Sequence, residues 1–335
     1  MQLITGATGL VGSHVLKYLL QKGEQVTALY HHRQPQSIEN WLRNVGVHWD
    51  AQQLHWMTTE SFLDQSNFDH YQVVYHCAAV VSYHPRDHKK MMEVNVHQTA
   101  EWVDWALEFN VSFCHVSSIA ALGKSVEQAP IDEQCFWQPA KSHTEYSRTK
   151  FFGEMEVWRG IEEGLNAVIV NPGVIIGEVD LQQSSGQLFD TVARGFNYYP
   201  AGGTGWIGVD DVAKIMLALV EKRCWGERYI LVAENQSMQW AFATMAKAMK
   251  LRIPQKELTQ WMLMLIYGLD ALKEKFLGKK AKVTAETIRN TAQIKRFSNE
   301  KVVKQLQWNF ESVEDVIDQT ARKLFPQLHL SIEKN

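Results

Sequence analysis

The sequence predicts an α/β chain: a doubly wound parallel sheet with a smaller, mostly helical C-terminal lobe beside it. Three observations carry this. Short β-rich runs alternate with longer helical patterns through the first half, a glycine-spaced turn joins the first run to the first helix, and the pattern becomes irregular after Asn171. Strand, helix and strand in repetition build a parallel sheet. Right-handed crossovers then bring every strand's C-terminus to one edge, where ligands bind.

The candidate strands are Gln2–Thr5, Gln25–Tyr30, Val73–His76, Phe113–Ser117 and Ala167–Asn171. Helical patterns cover Gly12–Lys22, Lys89–Phe109 and Glu145–Glu163. Beyond Asn171, Pro172, Gly173, Gly177, Gly186, Gly195, Pro200 and the run Ala201-Gly202-Gly203-Thr204-Gly205 read as loops. A helix over Asp210–Lys222 and a strand over Arg228–Val232 return to the main sheet. This divides the chain into a nucleotide-binding unit, 1–171 plus about 209–235, and a substrate lobe, about 172–208 plus 236–335.

At 335 residues, 45% hydrophobic and 21% charged, the composition is that of a globular protein large enough to need no disulfide or metal staple. The net charge of −3 gives no pull toward nucleic acid, and Lys279-Lys280-Ala281-Lys282 reads as a solvated loop. Cys77, Cys114, Cys135 and Cys224 form no C-x-x-C pair and read as reduced thiols of a cytoplasmic protein. The chain starts directly into a strand, with Gly6, Gly9 and Gly12 interrupting any apolar helix, so no signal peptide is expected. Leu258–Leu277 is apolar around Trp261–Tyr267 but carries Asp270, Lys273, Glu274 and Lys275. A membrane span needs about 20 largely uncharged residues. The segment is therefore expected to be an amphipathic helix over the pocket or the sheet, rather than an interfacial membrane helix. Twelve tryptophans, among them Trp102, Trp105, Trp158, Trp240 and Trp261, read as core and interface packing rather than an aromatic-lined pocket.

Thr5-Gly6-Ala7-Thr8-Gly9-Leu10-Val11-Gly12 follows a strand and opens a helix, the context that gives a glycine fingerprint meaning. Gly6 permits the tight turn, Gly9 lets backbone approach a pyrophosphate, and Gly12 lets helix and strand pack closely. Thr8, Leu10 and Val11 complete the phosphate-facing backbone, where a helix N-terminus offers free N–H groups. This is a Rossmann-type dinucleotide site. Leu29-Tyr30-His31-His32-Arg33 ends the second strand without a carboxylate. An acid there would bind the ribose 2′-hydroxyl of NAD; its lack favours NADP over NAD, with Arg33 as phosphate partner and His31 as helper.

Tyr146-Ser147-Arg148-Thr149-Lys150 places a phenol and an ammonium four apart on one helical face. A free tyrosine has a pKa of about 10, and a neighbouring ammonium lowers it toward the range of general acid–base work. His115-Val116-Ser117-Ser118-Ile119-Ala120-Ala121-Leu122-Gly123 ends a strand on the ligand edge, where a serine hydroxyl can hold a carbonyl or alcohol.

Together these motifs resemble the extended short-chain dehydrogenase/reductase family, the NAD-dependent epimerase/dehydratase superfamily, over nearly the whole chain. The resemblance implies Ser118, rather than Ser117, as the catalytic serine, with Ser117 on the cofactor side, beside Tyr146 and Lys150. It implies that Asn95 supports the lysine through water, that Cys77, Ala78 and Ala79 line the adenosine and diphosphate side, and that Pro172, Gly173 and Val174 brace the nicotinamide. It also implies a homodimer through helices near Thr99–Phe109 and Glu145–Glu163, to which Trp102, Trp105 and Trp158 would contribute. Val170-Asn171-Pro172-Gly173 stands where sugar-nucleotide enzymes carry an arginine-led segment, and so resembles the dihydroflavonol-reductase-like and 3β-hydroxysteroid-dehydrogenase-like branches. The chain departs from the family in lacking a Gly-Asp pair after the third strand, around Leu54–Thr59, and in carrying Gln98 where a glycine is usual.

The expected activity is carbonyl–alcohol interconversion on a small organic substrate with NADP or NAD. The alternatives are a sugar-nucleotide epimerase or dehydratase holding NAD tightly, and a non-catalytic NADP sensor, which would be free to lose Tyr-x-x-x-Lys. No metal is expected. His84 and His88 lack an evident third ligand and read as surface residues, and of Asp210 and Asp211 one is expected to cap the following helix and the other to face solvent.

Overall fold

The computed structural model describes residues 1–31, 33–64, 68, 70–125, 129–140, 143–178, 185–259, 261–264 and 294–326. In chain order the elements are β1 (Gln2–Thr5), α1 (Leu10–Gln21), β2 (Val26–Tyr30), α2 (Gln36–Asn44), β3 (Leu54–Thr58), α3 (Thr59–Leu63), β4 (Val73–His76), α4 (His88–Met92), α5 (Gln98–Glu108), β5 (Ser112–Val116), α6 (Glu145–Glu162), β6 (Ala167–Pro172) and β7 (Val174–Ile176). They continue with α7 (Gly186–Ala193), β8 (Tyr198–Tyr199), β9 (Gly203–Gly208), α8 (Val209–Glu221), β10 (Glu227–Leu231), β11 (Glu234–Ser237), α9 (Met238–Ala248), β12 (Lys256–Glu257), α10 (Glu300–Leu306) and α11 (Val313–Leu324).

The main sheet has seven parallel strands in the order β10-β6-β5-β4-β1-β2-β3. Strands β1, β4 and β6 are buried throughout, as strands covered on both faces must be. Helices α1 and α8 pack over one face, with Val15, Leu16, Leu19, Val212 and Met216 in that core. Helices α5 and α6 cover the other, over Phe62, Trp102, Trp105, Phe113 and Val157. The chain leaves β1 for β2 on one side and returns to β4 on the other. The crevice between the ends of β1 and β4 is therefore the switch point at which such sheets bind ligands.

Trp102 and Trp105 pack with Phe62, at ring separations of 5.6 and 5.5 Å. Both are buried within the chain's own core, so neither is available to a dimer interface. The exposed apolar residues of α6 are Phe152 and Met155. The long helix expected over Lys89–Phe109 is α4, a π-helical turn at Glu93–His97 and α5 in succession. β3 is an edge strand with only Leu54 buried, which is why its pattern was too weak to read.

Among the described residues the C-terminal lobe is mostly helical, as expected, through α7, α9, α10 and α11. It also carries a three-stranded sheet, β11-β9-β7, and a short β12-β8 pair. The glycine run read as a loop is largely β9, because the strand is pressed against its neighbours. A Cβ on Gly205 would meet Val232 Cγ2 at 2.5 Å, and close approach is a recognised reason for glycine inside a strand. The carboxylates in the first turn of α8 also differ from expectation. Asp210 accepts from Lys17 and Tyr18 at 2.7 and 2.6 Å, tying α8 to α1. Asp211 is buried and accepts from Glu311 N and Trp308 Nε1, while Gly208 takes the cap position. Most of Leu258–Leu277, and the lysine run that follows it, lie outside the described residues. Among the described residues no helix is long and apolar enough to cross a membrane.

Three of the buried histidines belong to the elements of the main sheet and its helices: His14 on α1, His76 in β4 and His115 in β5. Burial pulls His14 down to about 4 and His76 down to about 3, the latter with help from Lys150, and holds His115 well below the ordinary value of 6.5. Each is neutral in the fold and ready to protonate once unfolded. Their contribution is complete above pH 6.5 and is lost as pH falls toward 4 and 3. The melting temperature is expected to decline over that window, and His14→Gln to flatten the decline. An unchanged slope in that variant would remove His14 from the acid sensitivity.

Candidate active site

The turn after β1 folds tightly on itself. Gly6 has φ +66° and backs onto Ala78, where an added Cβ would come within 2.8 Å of backbone. Gly9 N donates to Gly6 O at 2.9 Å, and Gly9 is the cap residue of α1 with no side-chain cap bond. The first N–H groups of α1 thus face the crevice without a capping side chain, as an anion site needs. Thr5 Oγ1 pairs with His76 Nδ1 at 2.8 Å and accepts from Ala78 N at 3.2 Å, locking the β4 end, with Cys77, Ala78 and Ala79, against the glycine turn. These residues fit a dinucleotide: open backbone at Gly9, a helix start without a carboxylate in its first turn, and close packing behind. At the rim, Arg33 Nη1 donates to Thr8 O at 3.3 Å, and His31 Nδ1 lies 3.7 Å from Glu60 Oε1.

The second half of the site lies at the ends of β5 and β6 and on α6. Thr144 caps α6, accepting from Ser147 N at 3.0 Å, which fixes where the helix begins and hence where Tyr146 points. Ser118 and Tyr146 come together, the serine side chain close enough to act on the phenol. Burial, with Tyr83 beside it, holds the Tyr146 phenol well above its ordinary value, while Ser118 works in the other direction. The Tyr83 ring meets the Tyr146 ring edge-on at 5.9 Å. Lys150 is buried and donates from Nζ to the Val116 carbonyl at 2.8 Å. Burial draws its ammonium down to about 8, against the pull of Cys77 and Glu154. Desolvation is thus the largest influence on the phenol in this structure, and the lysine ammonium is engaged by a carbonyl.

Ser117 faces away from Ser118, donating to Glu154 Oε2 at 2.6 Å. Asn95 Nδ2 donates to Val80 O and Thr149 Oγ1 at 2.9 and 3.0 Å, and its Oδ1 accepts from Val80 N. These bonds connect the loop after β4 to α6 at the residue before Lys150. Pro172 ends β6, and Gly173 N donates to Leu231 O at 3.0 Å, delivering Val174 into the lobe sheet. His88 Nδ1 lies 2.8 Å from Glu145 Oε2. His84 is buried and accepts from Arg86 N, and so is not the surface residue expected.

Tyr83, Glu154 and Arg228 were missed from the sequence. Glu154 had a readable signal, being one helical turn beyond Lys150 on the Tyr146–Lys150 face. Arg228 reaches the site from β10, 74 positions away, and carries no local signature.

The family model "NAD dependent epimerase/dehydratase family" matches residues 2–231. The chain belongs to that family. It is an NAD(P)-dependent oxidoreductase of the extended short-chain dehydrogenase/reductase type. This family member is similar to sterol demethylase protein B of Methylococcus capsulatus, with 29% identity over 71% of this chain and 72% of the relative. It is also similar to the "Putative dihydroflavonol 4-reductase" of Synechocystis sp., with 26% identity over 90% of this chain and 88% of that one. Among solved structures it matches gox2253 with a TM-score of 0.76 and 26% identity, covering 98% of both chains.

Proposed function

We propose that this family member interconverts a carbonyl and an alcohol on a small organic substrate, preferring NADP. The observation that carries the reading is the meeting of Ser118 and Tyr146, with Lys150 one turn along α6, across the strand ends from the glycine turn. The nicotinamide supplies or takes up the hydride when bound. Ser118 orients the substrate oxygen. Tyr146, held neutral by burial, donates the proton to that oxygen during reduction, as a general acid within hydrogen-bond reach must. Lys150 binds ribose and supplies positive charge beneath the tyrosine. Cys77, Ala78, Ala79, Pro172, Gly173 and Val174 shape the walls, and Tyr83 with exposed Val81 gives the mouth an apolar rim suited to a substrate with an apolar body.

Two further parts of the reading are proposals of the same kind. The division into a nucleotide-binding unit and a substrate lobe follows the separate core around Phe189, Trp206, Phe242 and Ile317. A homodimer through α5 and α6 would bury Phe152 and Met155.

The first test is absorbance loss of NADPH and NADH against a panel of aldehydes, ketones, flavanonols and ketosteroids. Net NADPH loss supports a reductase. No loss with either cofactor, together with NAD retained through purification, moves the reading to a sugar-nucleotide epimerase or dehydratase. Arg33→Ala tests the cofactor preference. It is expected to raise the NADPH Kd by on the order of tenfold, one charge-assisted contact, and to leave NADH nearly unchanged. Equal losses for both cofactors would place Arg33 on the glycine turn as a structural residue only.

A further inference from the structure

Glu154 is buried, at 2% exposure, on the α6 face that carries Tyr146 and Lys150. Its carboxylate accepts four hydrogen bonds. Ser117 Oγ and Asn171 Nδ2 donate to Oε2 at 2.6 and 2.7 Å. Arg228 Nη1 and Trp158 Nε1 donate to Oε1 at 3.0 and 3.3 Å. Asn171 Nδ2 also donates to the Ser118 carbonyl at 3.1 Å. Arg228 Nε donates to Glu133 O at 2.9 Å, and Nη2 contacts the Cys135 carbonyl at 3.4 Å, which secures the segment running from Ser118 toward Tyr146.

A buried ion pair is a poor stabiliser compared with apolar residues of the same volume, because both charges lose their hydration. Four donors on one carboxylate, two of them leading to the Ser118 backbone, instead specify position. We propose that Glu154 is a positioning residue for the reaction: anchored by Arg228, its carboxylate fixes the Ser118 backbone through Asn171 and keeps a negative charge one helical turn from Lys150. The proposal rests on the reading of Ser118, Tyr146 and Lys150 as the reacting set. The titratable groups around Lys150 are His76 and Cys77 at the β4 end, His115 in β5, and Tyr146 and Glu154 on α6. Of these, Glu154 is the carboxylate.

Glu154→Gln keeps the shape but turns an N–H₂ toward donors. With its oxygen on Arg228, the amide faces Asn171 Nδ2, and the bridge to Ser118 loosens. The variant is expected to lower kcat on the order of 10²-fold, the cost of a small misplacement, with the dinucleotide Kd at neutral pH within about threefold. The alkaline limb of carbonyl reduction, and the pH at which dinucleotide affinity declines, should both move to lower pH as Lys150 loses its carboxylate neighbour. The affinity readout needs no turnover. In a Ser118→Ala background, Glu154→Gln should cost less than about threefold, because the two residues act through one another. Asn171→Ala is the second variant. It cuts the bridge but spares the ion pair, and should lower kcat with both pH limbs unmoved. Additive losses with Ser118→Ala and unmoved limbs in Glu154→Gln would overturn the proposal. Full activity of Tyr146→Phe would instead overturn the reading of the reacting set on which it rests.

Discussion

Tyr146→Phe is expected to lower kcat on the order of 10³-fold while leaving the dinucleotide Kd and the melting temperature close to those of the parent. The substitution removes one oxygen. The ring remains edge-on to Tyr83, and α6 keeps its Thr144 cap, so the local structure has no reason to move. What disappears is the only proton proposed to reach the substrate oxygen, a contribution that general acid catalysis places at 10²–10⁴-fold. Ser118 still accepts from Ala120 N at 3.1 Å, so its side chain stays in place. The measurement is steady-state reduction of whichever panel substrate consumes NADPH, with binding followed separately by fluorescence. Turnover within about tenfold of the parent would show that the proton travels by another route.

The parts of this site that were legible are those whose chemistry is local in sequence. The glycine turn is eight consecutive residues between a strand and a helix, and Tyr146 and Lys150 share a face because a helix repeats every 3.6 residues. Ser118 was separable from Ser117 only by resemblance. The structure gives the physical distinction, with Ser117 turned to Glu154 and Ser118 to Tyr146. What could not be read depends on distant partners. Arg228 meets Glu154 because β10 pairs with β6, and Asp210 meets Lys17 because α8 packs on α1. The fold was read well where strands are buried on both faces and badly at β3 and β9. At β3 burial is slight, and at β9 glycines serve close packing while imitating a loop. The surroundings of Tyr146 were hidden for the same reason. Spacing announces the ammonium one turn away but not the burial of the phenol.

A contrast between two glycines tests the cofactor site without any substrate. A Cβ on Gly12 would lie 2.3 Å from Gly6 O and 3.0 Å from Ala7 Cα, both backbone atoms of the turn itself. Gly12→Ala must therefore push the turn away from α1. The helix gains about 1 kcal/mol of propensity from the exchange, which cannot offset a contact that short. Loss of dinucleotide binding together with a lower melting temperature is expected. Gly9 is different: its Cβ would meet only Gly6 O at 3.3 Å, and its φ of −86° suits alanine. Gly9→Ala should fold as the parent does, yet place a methyl where the backbone is proposed to approach the pyrophosphate. The dinucleotide Kd is then expected to rise on the order of 10²-fold with no change in melting temperature. Parent-like affinity in Gly9→Ala would mean that the phosphates do not lie against this turn. A melting-temperature loss in Gly9→Ala equal to that of Gly12→Ala would mean that both glycines serve packing alone.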